Sequence, residues 1–280
     1  MMRLETERRI TDQLMRGLCG AAAVLSAGVL LLLMGHVVIS GASAFSLALL
    51  VEGPAPLGMP GGGIAHAVIG TVIIVGLACL WSIPIGVAAG IYLSDYAPPR
   101  MATVVRMTAD VLSGVPSIVF GIYAYTLIVT QTGGFSGLSA AFALGVLSLP
   151  IVARTTEEVL RLVPSDLREA SYALGVPRWR TMISVVVPSA SAGLITGTML
   201  AVARMAGETA PLIFTTLGNA FWNVDPTRPM AAMTLTIFQY AIWPYEHLHQ
   251  QAWAASLLLL LVVLLINLSV RLASRNRFAR

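Results

Sequence analysis

The chain has 280 residues, of which 57% are hydrophobic and only 11% are charged, and its mean hydropathy is +0.83. An ordinary soluble domain carries about 25% charged residues, so the composition excludes that class and predicts an all-α protein that crosses a membrane several times. The net charge is +4, and all seventeen basic residues are arginines. A Walker-type phosphate-binding loop needs a lysine on the nucleotide phosphates. We therefore expect no ATPase site in this chain and no enzyme activity of its own, and any ATP that drives it must bind another polypeptide.

Six apolar stretches are long enough to cross the hydrocarbon of a bilayer, which takes about 20 helical residues. The first is too long for a signal-peptide core and lacks a clear cleavage site, so it is expected to remain as a span. A Gly-rich hairpin, TQTGGFSG, joins the third stretch to the fourth. The six predicted spans are residues 18–40, 66–93, 104–130, 136–157, 188–211 and 252–271.

These spans predict three regions. Residues 1–65 form an N-terminal tail, the first span and a connector rich in Gly and Pro. Residues 66–271 form the core, which holds the other five spans, and residues 272–280 form a C-terminal tail.

The placement of arginines predicts the orientation, because cytoplasmic helix ends are enriched in basic residues. Arginines cluster before the first span, between the second and third, between the fourth and fifth, and after the last. Only Arg204, within a span, and Arg228, in the segment 212–251, lie elsewhere. The pattern predicts a bacterial plasma membrane protein with both termini in the cytoplasm and the segment 212–251 outside.

The largest inner loop contains a short predicted helix. Asp166 as N-cap with Glu169 three residues later makes a capping-box pattern, and Gly175 marks a helix end. The predicted helix, residues 167–174, is too short to be stable alone in water, so a partner must hold it. Its i, i+3, i+4, i+7 face is suited to lying in a groove. This face consists of Leu167, Ala170, Ser171 and Leu174.

The same loop resembles the loop of ABC importer inner-membrane subunits that reads Glu-Ala-Ala, three residues, Gly, nine residues and Ile-x-Leu-Pro. Here the pattern stands as Glu169, Ala170, Ser171, Gly175, Val185, Val187 and Pro188. Three further stretches are similar to PstA-type permease subunits of phosphate importers, and the resemblance covers residues 66–270. These stretches are SGVPSIVFG at 113–121, LPIVARTTEEVLRLVP at 149–164 and ARMAGETAPLIFTTLG at 203–218.

The resemblance implies the type I ABC importer permease fold, in which the short helix is the coupling helix seated on an ATPase subunit. It also implies the partners of such an importer: a second permease subunit (PstC-like), ATP-binding subunits (PstB-like), an external phosphate-binding protein (PstS-like) and inorganic phosphate. Membrane lipid surrounds the spans, and no nucleic acid, cofactor or metal is expected. The coupling residues would be Asp166, Glu169, Ala170, Ser171, Leu174 and Gly175.

Arg204 stands inside an apolar span, where a charged side chain costs at least about 2.5 kcal/mol. It lies about 24 Å along the helix from Pro188, and Glu208 follows four residues later on the same face. Two interpretations are open. The two residues form a structural ion pair, or Arg204 contacts a passing anion while Glu208 compensates its charge when no anion is present. The resemblance favours contact with the anion.

Arg154 ends the fourth span, where snorkelling toward the headgroups already explains an arginine. The resemblance gives a role in the anion path equal weight, so both interpretations remain. The predicted substrate path consists of Arg204, Glu208 and Arg154.

The remaining titratable residues are given structural roles. Asp110 is expected to pair with Arg106 at a helix end, and Glu157 and Glu158 are expected to be solvated. The four histidines are assigned to the membrane interface, since no Cys or acidic partner completes a metal site. They are His36, His66, His247 and His249.

Two alternative functions remain at this stage. The same architecture could import another oxyanion or a small solute such as an amino acid. An ion-coupled secondary transporter would need acidic residues deep in several spans. Only Glu208 meets that condition, and such a transporter does not explain the segment 165–188.

Overall fold

The computed structural model describes residues 2–56, 59 and 61–277, and within these ranges every regular element is a helix, with one isolated β-bridge between Pro54 and Gly62. The helices are α1 (Met2–Ala42), α2 (Leu47–Val51), α3 (Ala65–Asp95), α4 (Pro99–Gly114), α5 (Ser117–Thr132), α6 (Gly137–Arg161), α7 (Ser165–Ala173), α8 (Arg178–Gly207), α9 (Ala210–Thr215), α10 (Met233–Ile242) and α11 (Glu246–Arg277). Five of them are long and apolar enough to cross a membrane: α1, α3, α6, α8 and α11.

The third predicted span, 104–130, is not one straight helix. The chain bends by 97° between α4 and α5. Pro116 lacks a backbone N–H and disfavours helical geometry in the residue before it, and Val115 is accordingly extended, with φ −69° and ψ 134°. If the bent pair counts as one span, the structure has the six spans that the sequence predicts.

The fifth span also differs from its prediction of 188–211. Helix α8 begins at Arg178, passes through a π-helical turn at Met182–Val186 and ends at Gly207. Glu208 leaves the helix with φ −77° and ψ 133°. Pro211 therefore belongs to the first turn of the separate short helix α9, where its missing N–H costs no hydrogen bond.

Helices α3 and α6 form the centre of the bundle through small residues. A Cβ atom on Gly90 would lie 2.5 Å from the Thr156 Cβ, so only glycine permits this approach of the two backbones. Nearby, the Ser148 hydroxyl donates to the Ser82 hydroxyl at 3.1 Å, and both side chains are buried. Close packing of small residues with an interhelical hydrogen bond is the usual way that membrane helices associate.

Helix α1 lies at the edge of the bundle and packs on α11. The His36 ring meets the Trp253 ring edge-on, with 4.9 Å between centroids. Gly41 fits against Leu257 and the Trp253 carbonyl, where a Cβ would lie 2.7 Å from each. No residue in the most apolar part of α1 is buried within the chain, so most of this helix lies outside the bundle.

The loop between α9 and α10 is held by its own polar side chains. The Asn219 and Asn223 amides donate to the Pro229 carbonyl at 3.0 and 2.9 Å. Asp225 accepts hydrogen bonds from the Thr227 hydroxyl and backbone N–H, which lower the pKa of its carboxyl group. This loop covers the end of the bundle next to the break between α8 and α9.

Candidate substrate path and coupling segment

Arg204 and Glu208 lie at the break between α8 and α9. The Arg204 Nε is 3.4 Å from the Glu208 Oε1, so the two residues that the sequence paired do lie together. Glu208 is the residue at which the helix ends, and its carbonyl accepts a 2.8 Å hydrogen bond from the Thr234 hydroxyl of α10. An interrupted helix at membrane depth is tolerated where its freed backbone groups find partners or line a cavity.

The Arg204 guanidinium is only loosely engaged. Its side chain is 49% exposed, whereas that of Glu208 is 16% exposed, and its ion pair is longer than an ideal charge-assisted hydrogen bond of about 2.8 Å. Arg204 also lies in the last turn of α8, where the helix dipole favours a positive charge. A fixed cation with free donor capacity is suited to receive an anion.

Arg154 has a different environment, because it belongs to a dense charge cluster centred on Glu157. The Glu157 carboxylate is 1% exposed and accepts hydrogen bonds from Arg106 at 2.7 Å and Arg154 at 3.0 Å. It also forms an ion pair with Arg161 at 3.0 Å. Arg154 in addition pairs with Asp110 at 3.0 Å. A salt bridge to the exposed Glu158 at 3.3 Å completes its contacts.

The charge cluster corrects two expectations. Glu157, which was expected to be solvated, is buried because three arginines from α4 and α6 surround it. Asp110 pairs with Arg154 and not with Arg106, which instead reaches Glu157 across to α6. The sequence holds one usable signal, since Arg154 and Arg161 stand three and four residues from Glu157 on one face of α6.

The cluster also bears on the predicted substrate path. Three cations and three carboxylates balance in it, so an anion that contacts Arg154 would have to displace Asp110 or Glu158. Among the described residues, Glu208 is the acid that pairs with Arg204. The geometry therefore brings Arg204 together with Glu208 and places Arg154 in a separate, neutral cluster that ties α4 to α6.

The short helix predicted at residues 167–174 exists as α7, but it starts earlier than predicted. Pro164 is the N-cap, without a side-chain hydrogen bond, and Asp166 lies in the first turn. The predicted capping box between Asp166 and Glu169 is wrong, because the helix begins at Ser165. Asp166 still favours the helix through the dipole at its first turn.

The predicted helix end is confirmed. Gly175 is left-handed, with φ +78°. Its N–H donates to the Tyr172 carbonyl at 2.9 Å, and the Val176 N–H donates to the Ser171 carbonyl at 3.2 Å. This pair of bonds is the Schellman motif that satisfies the last carbonyls of a helix.

Two side chains fasten α7 to the bundle. Arg168 pairs with Asp95 of α3 and also donates to the Leu160 carbonyl of α6 at 2.8 Å. The Ser171 hydroxyl is buried and lies 2.8 Å from the Thr181 hydroxyl of α8. Ser171 therefore faces the bundle and does not belong to the outward groove-binding face that the spacing predicted. Arg168 was missed because its partner is 73 positions away in the sequence.

The opposite face of α7 and its flanks expose large apolar side chains. Leu174 is 83% exposed, and Glu169 and Ala170 also face away from the bundle. We call this the coupling face, and its apolar members are Leu162, Leu167, Leu174, Trp179 and Ile183.

The histidines do not gather into a site. His36 packs on Trp253, His66 is buried at the start of α3, and the His249 ring lies 2.7 Å from the Trp243 carbonyl. The His66 side chain is 4% exposed and is therefore packed against protein. Among the residues that the structure describes, no group of three or more His, Cys, Asp or Glu side chains could hold a metal ion.

The structure is thus a multi-pass helical bundle with a bent span, an interrupted helix beside an in-span arginine, and a surface helix tied to three spans. The family model described as "Binding-protein-dependent transport system inner membrane component" matches residues 82–277. The chain belongs to this family.

Curated relatives match the chain over most of its length. "Phosphate transport system permease protein PstA" of Yersinia pestis is 45% identical over 84% of this chain and 80% of its own length. The PstA protein of Haemophilus influenzae is 40% identical over 96% of both chains.

Solved structures share the fold at low identity. The MetNI methionine ABC transporter in an inward-facing form gives a TM-score of 0.60 at 20% identity, covering 76% of this chain and 94% of that chain. An amino acid ABC transporter gives 0.58 at 18% identity, covering 76% and 92%. These neighbours confirm the predicted all-α ABC importer permease fold.

Proposed function

We propose that this chain is the permease subunit of an ATP-driven importer of inorganic phosphate and forms half of its translocation path. The observation that carries the proposal is the 45% identity over most of the chain to a relative named as a phosphate transport permease. Phosphate at neutral pH is an anion with strong acceptor oxygens, and a path through the bilayer must replace its water with fixed donors. The half-exposed guanidinium of Arg204 is such a donor.

In this proposal Arg204 contacts the passing anion and Glu208 balances its charge between transport events. The pair lies at a helix interruption, where a small shift of α9 or α10 changes the separation of the two groups. Arg154 and Glu157 serve a different purpose in the proposal. They keep the bent α4 in register with α6, and Arg154 reaches substrate only if the cluster opens.

The proposed partners are a second permease subunit, two ATP-binding subunits and an external phosphate-binding protein. An ATP-binding subunit would dock on the coupling face, where Leu167 and Leu174 supply apolar anchors and Glu169 a charge. The absence of lysine from the chain supports ATP binding elsewhere. The clustered arginines support a plasma membrane location in which both termini and the coupling face are cytoplasmic.

The anchors of α7 suggest how force would reach the path. Arg168 links α7 to α3 and α6, and the contact between Ser171 and Thr181 links it to the start of α8. The far end of α8 carries Arg204. A displacement of α7 by a nucleotide-driven subunit would therefore move the helix that holds the proposed anion contact.

Uptake of radiolabelled phosphate by cells that lack only this chain tests the substrate. We expect uptake to be lost, to return when the chain is restored, and to be inhibited in the restored cells by arsenate more strongly than by sulfate. Methionine should not compete. Restored uptake of sulfate or an amino acid without phosphate uptake would replace this proposal with one of the alternative cargoes.

A further inference from the structure

Two apolar cavities open on the surface that α11 shares with its neighbours. One, of about 500 Å³, is lined by residues of α10 and α11, among them Glu246, His249 and Trp253. The other, of about 450 Å³, is lined by α1, α8, α10 and α11 and includes Gly207 and Leu264. Both are open to the surroundings of the helices and not enclosed in the bundle.

The two cavities adjoin along α11, because Ile237 and Ser256 line both of them, and together we call them the groove. Residues 246–260 of α11 extend about 21 Å along the helix axis at 1.5 Å per residue. Half the hydrocarbon core of a bilayer is about 15 Å thick. The groove is therefore long enough to take an acyl chain of one leaflet, with a polar mouth at the Glu246 end.

The mouth offers hydrogen-bond acceptors. A carbonyl can only accept, so the 2.7 Å contact between His249 Nε2 and the Trp243 carbonyl places the proton of a neutral imidazole on Nε2. The His249 Nδ1 is then an acceptor, and it lies 3.8 Å from the Glu246 carboxylate. Glu246 is 82% exposed, and Trp253 lines the same cavity.

The lining of the groove carries no arginine, and the chain has no lysine. An anionic headgroup such as that of phosphatidylglycerol would find no counter-charge there. An ammonium group has three donors and a positive charge, which match the acceptors at Glu246 and His249. The charge at the mouth thus selects the headgroup, and the apolar walls accept its acyl chain.

We propose that this groove is a phospholipid site selective for phosphatidylethanolamine. The ammonium group lies at Glu246 and His249, near the Trp253 ring, and one acyl chain runs toward Leu264. Gly207 lines the groove, and a Cβ there would meet no atom within 4 Å, so the space beside it is open. This site is independent of the cargo that the transporter carries.

Fluorescence quenching of the full chain in phosphatidylcholine nanodiscs tests the site. A trace of phosphatidylethanolamine or phosphatidylglycerol with brominated acyl chains is added, and the quenching of tryptophan fluorescence is measured. The difference in quenching between the native chain and Trp253→Phe gives the contribution of Trp253. We expect brominated phosphatidylethanolamine to give half of its maximal quenching at a mole fraction about fivefold lower than brominated phosphatidylglycerol needs. This ratio corresponds to one exposed ion pair at the upper end of the usual range of ion-pair strength. Glu246→Gln, a surface change, should remove that preference.

Two glycine variants locate the acyl chain. Gly207→Leu should fill the groove and reduce the quenching of Trp253 by brominated phosphatidylethanolamine. Gly76→Leu is the matched control, because Gly76 is an exposed position on α3 with equally open space. Equal quenching by the two lipids, a preference that survives Glu246→Gln, or an equal effect of both glycine variants would each overturn the proposal.

Discussion

Replacing Glu157 by Gln removes the central charge of the cluster between α4 and α6 without changing the size of the side chain. The carboxylate is 1% exposed and is the partner of three arginines. Arg154 keeps Asp110 and Glu158 as partners after the change. Arg106 and Arg161 lose the acid that pairs with them in the described part of the chain.

The expected cost follows from how well each arginine is solvated. Removing one member of a buried ion pair usually costs about 3 to 5 kcal/mol, because a buried charge is left uncompensated. Arg161 is 51% exposed and Arg106 is 24% exposed, so water relieves part of that penalty. We expect Glu157→Gln to lower the free energy of unfolding by about 3 kcal/mol, the lower end of the range.

The adjacent Glu158 provides the matched control. It has the same side chain, but it is 64% exposed and makes a single 3.3 Å pair, so Glu158→Gln should cost less than about 1 kcal/mol. The assay is reversible unfolding of the purified chain by a denaturing detergent in mixed micelles. Adding Arg106→Gln to Glu157→Gln should recover part of the loss. Equal destabilisation by the Glu157 and Glu158 variants would show that the cluster does not hold the two helices.

Arg204→Gln should abolish phosphate uptake in a complex that still assembles and hydrolyses ATP. Adding Glu208→Gln should not restore uptake. Restored uptake in the double variant would mean that the pair of Arg204 and Glu208 is only structural. Gly175→Val should destabilise the end of α7 by about 1 to 2 kcal/mol and uncouple ATP hydrolysis from phosphate uptake. Gly175→Asn should preserve coupling, because asparagine tolerates a left-handed backbone. Normal uptake by the Gly175→Val variant would refute the role of this helix end. In intact cells without the native cysteines, an impermeant thiol reagent should label His247→Cys but not Ser165→Cys, and the reverse pattern would invert the orientation.

The sequence by itself determined the properties that depend on local composition and spacing. Apolar stretches of spanning length predicted the membrane helices, and the helix end at Gly175 was predicted because a helix stops where its periodic pattern meets glycine. The pairing of Arg204 with Glu208 was also predictable, since residues four apart on a helix are neighbours. The loop motif identified the kind of permease because its spacing is fixed within a short segment.

Tertiary structure alone decided the contacts between distant parts of the chain. Arg106 reaches Glu157, and Arg168 reaches Asp95, across 51 and 73 positions, and no periodicity relates such pairs. The 97° bend at Val115 and Pro116 was likewise hidden, because a proline inside a membrane helix is compatible with either a mild kink or a break. Which of these forms depends on whether neighbouring helices can satisfy the freed backbone groups. The burial of Glu157 has the same origin. Glu157 and Glu158 are adjacent in the sequence, but only Glu157 is buried, because the packing of α4 on α6 brings three arginines around its carboxylate.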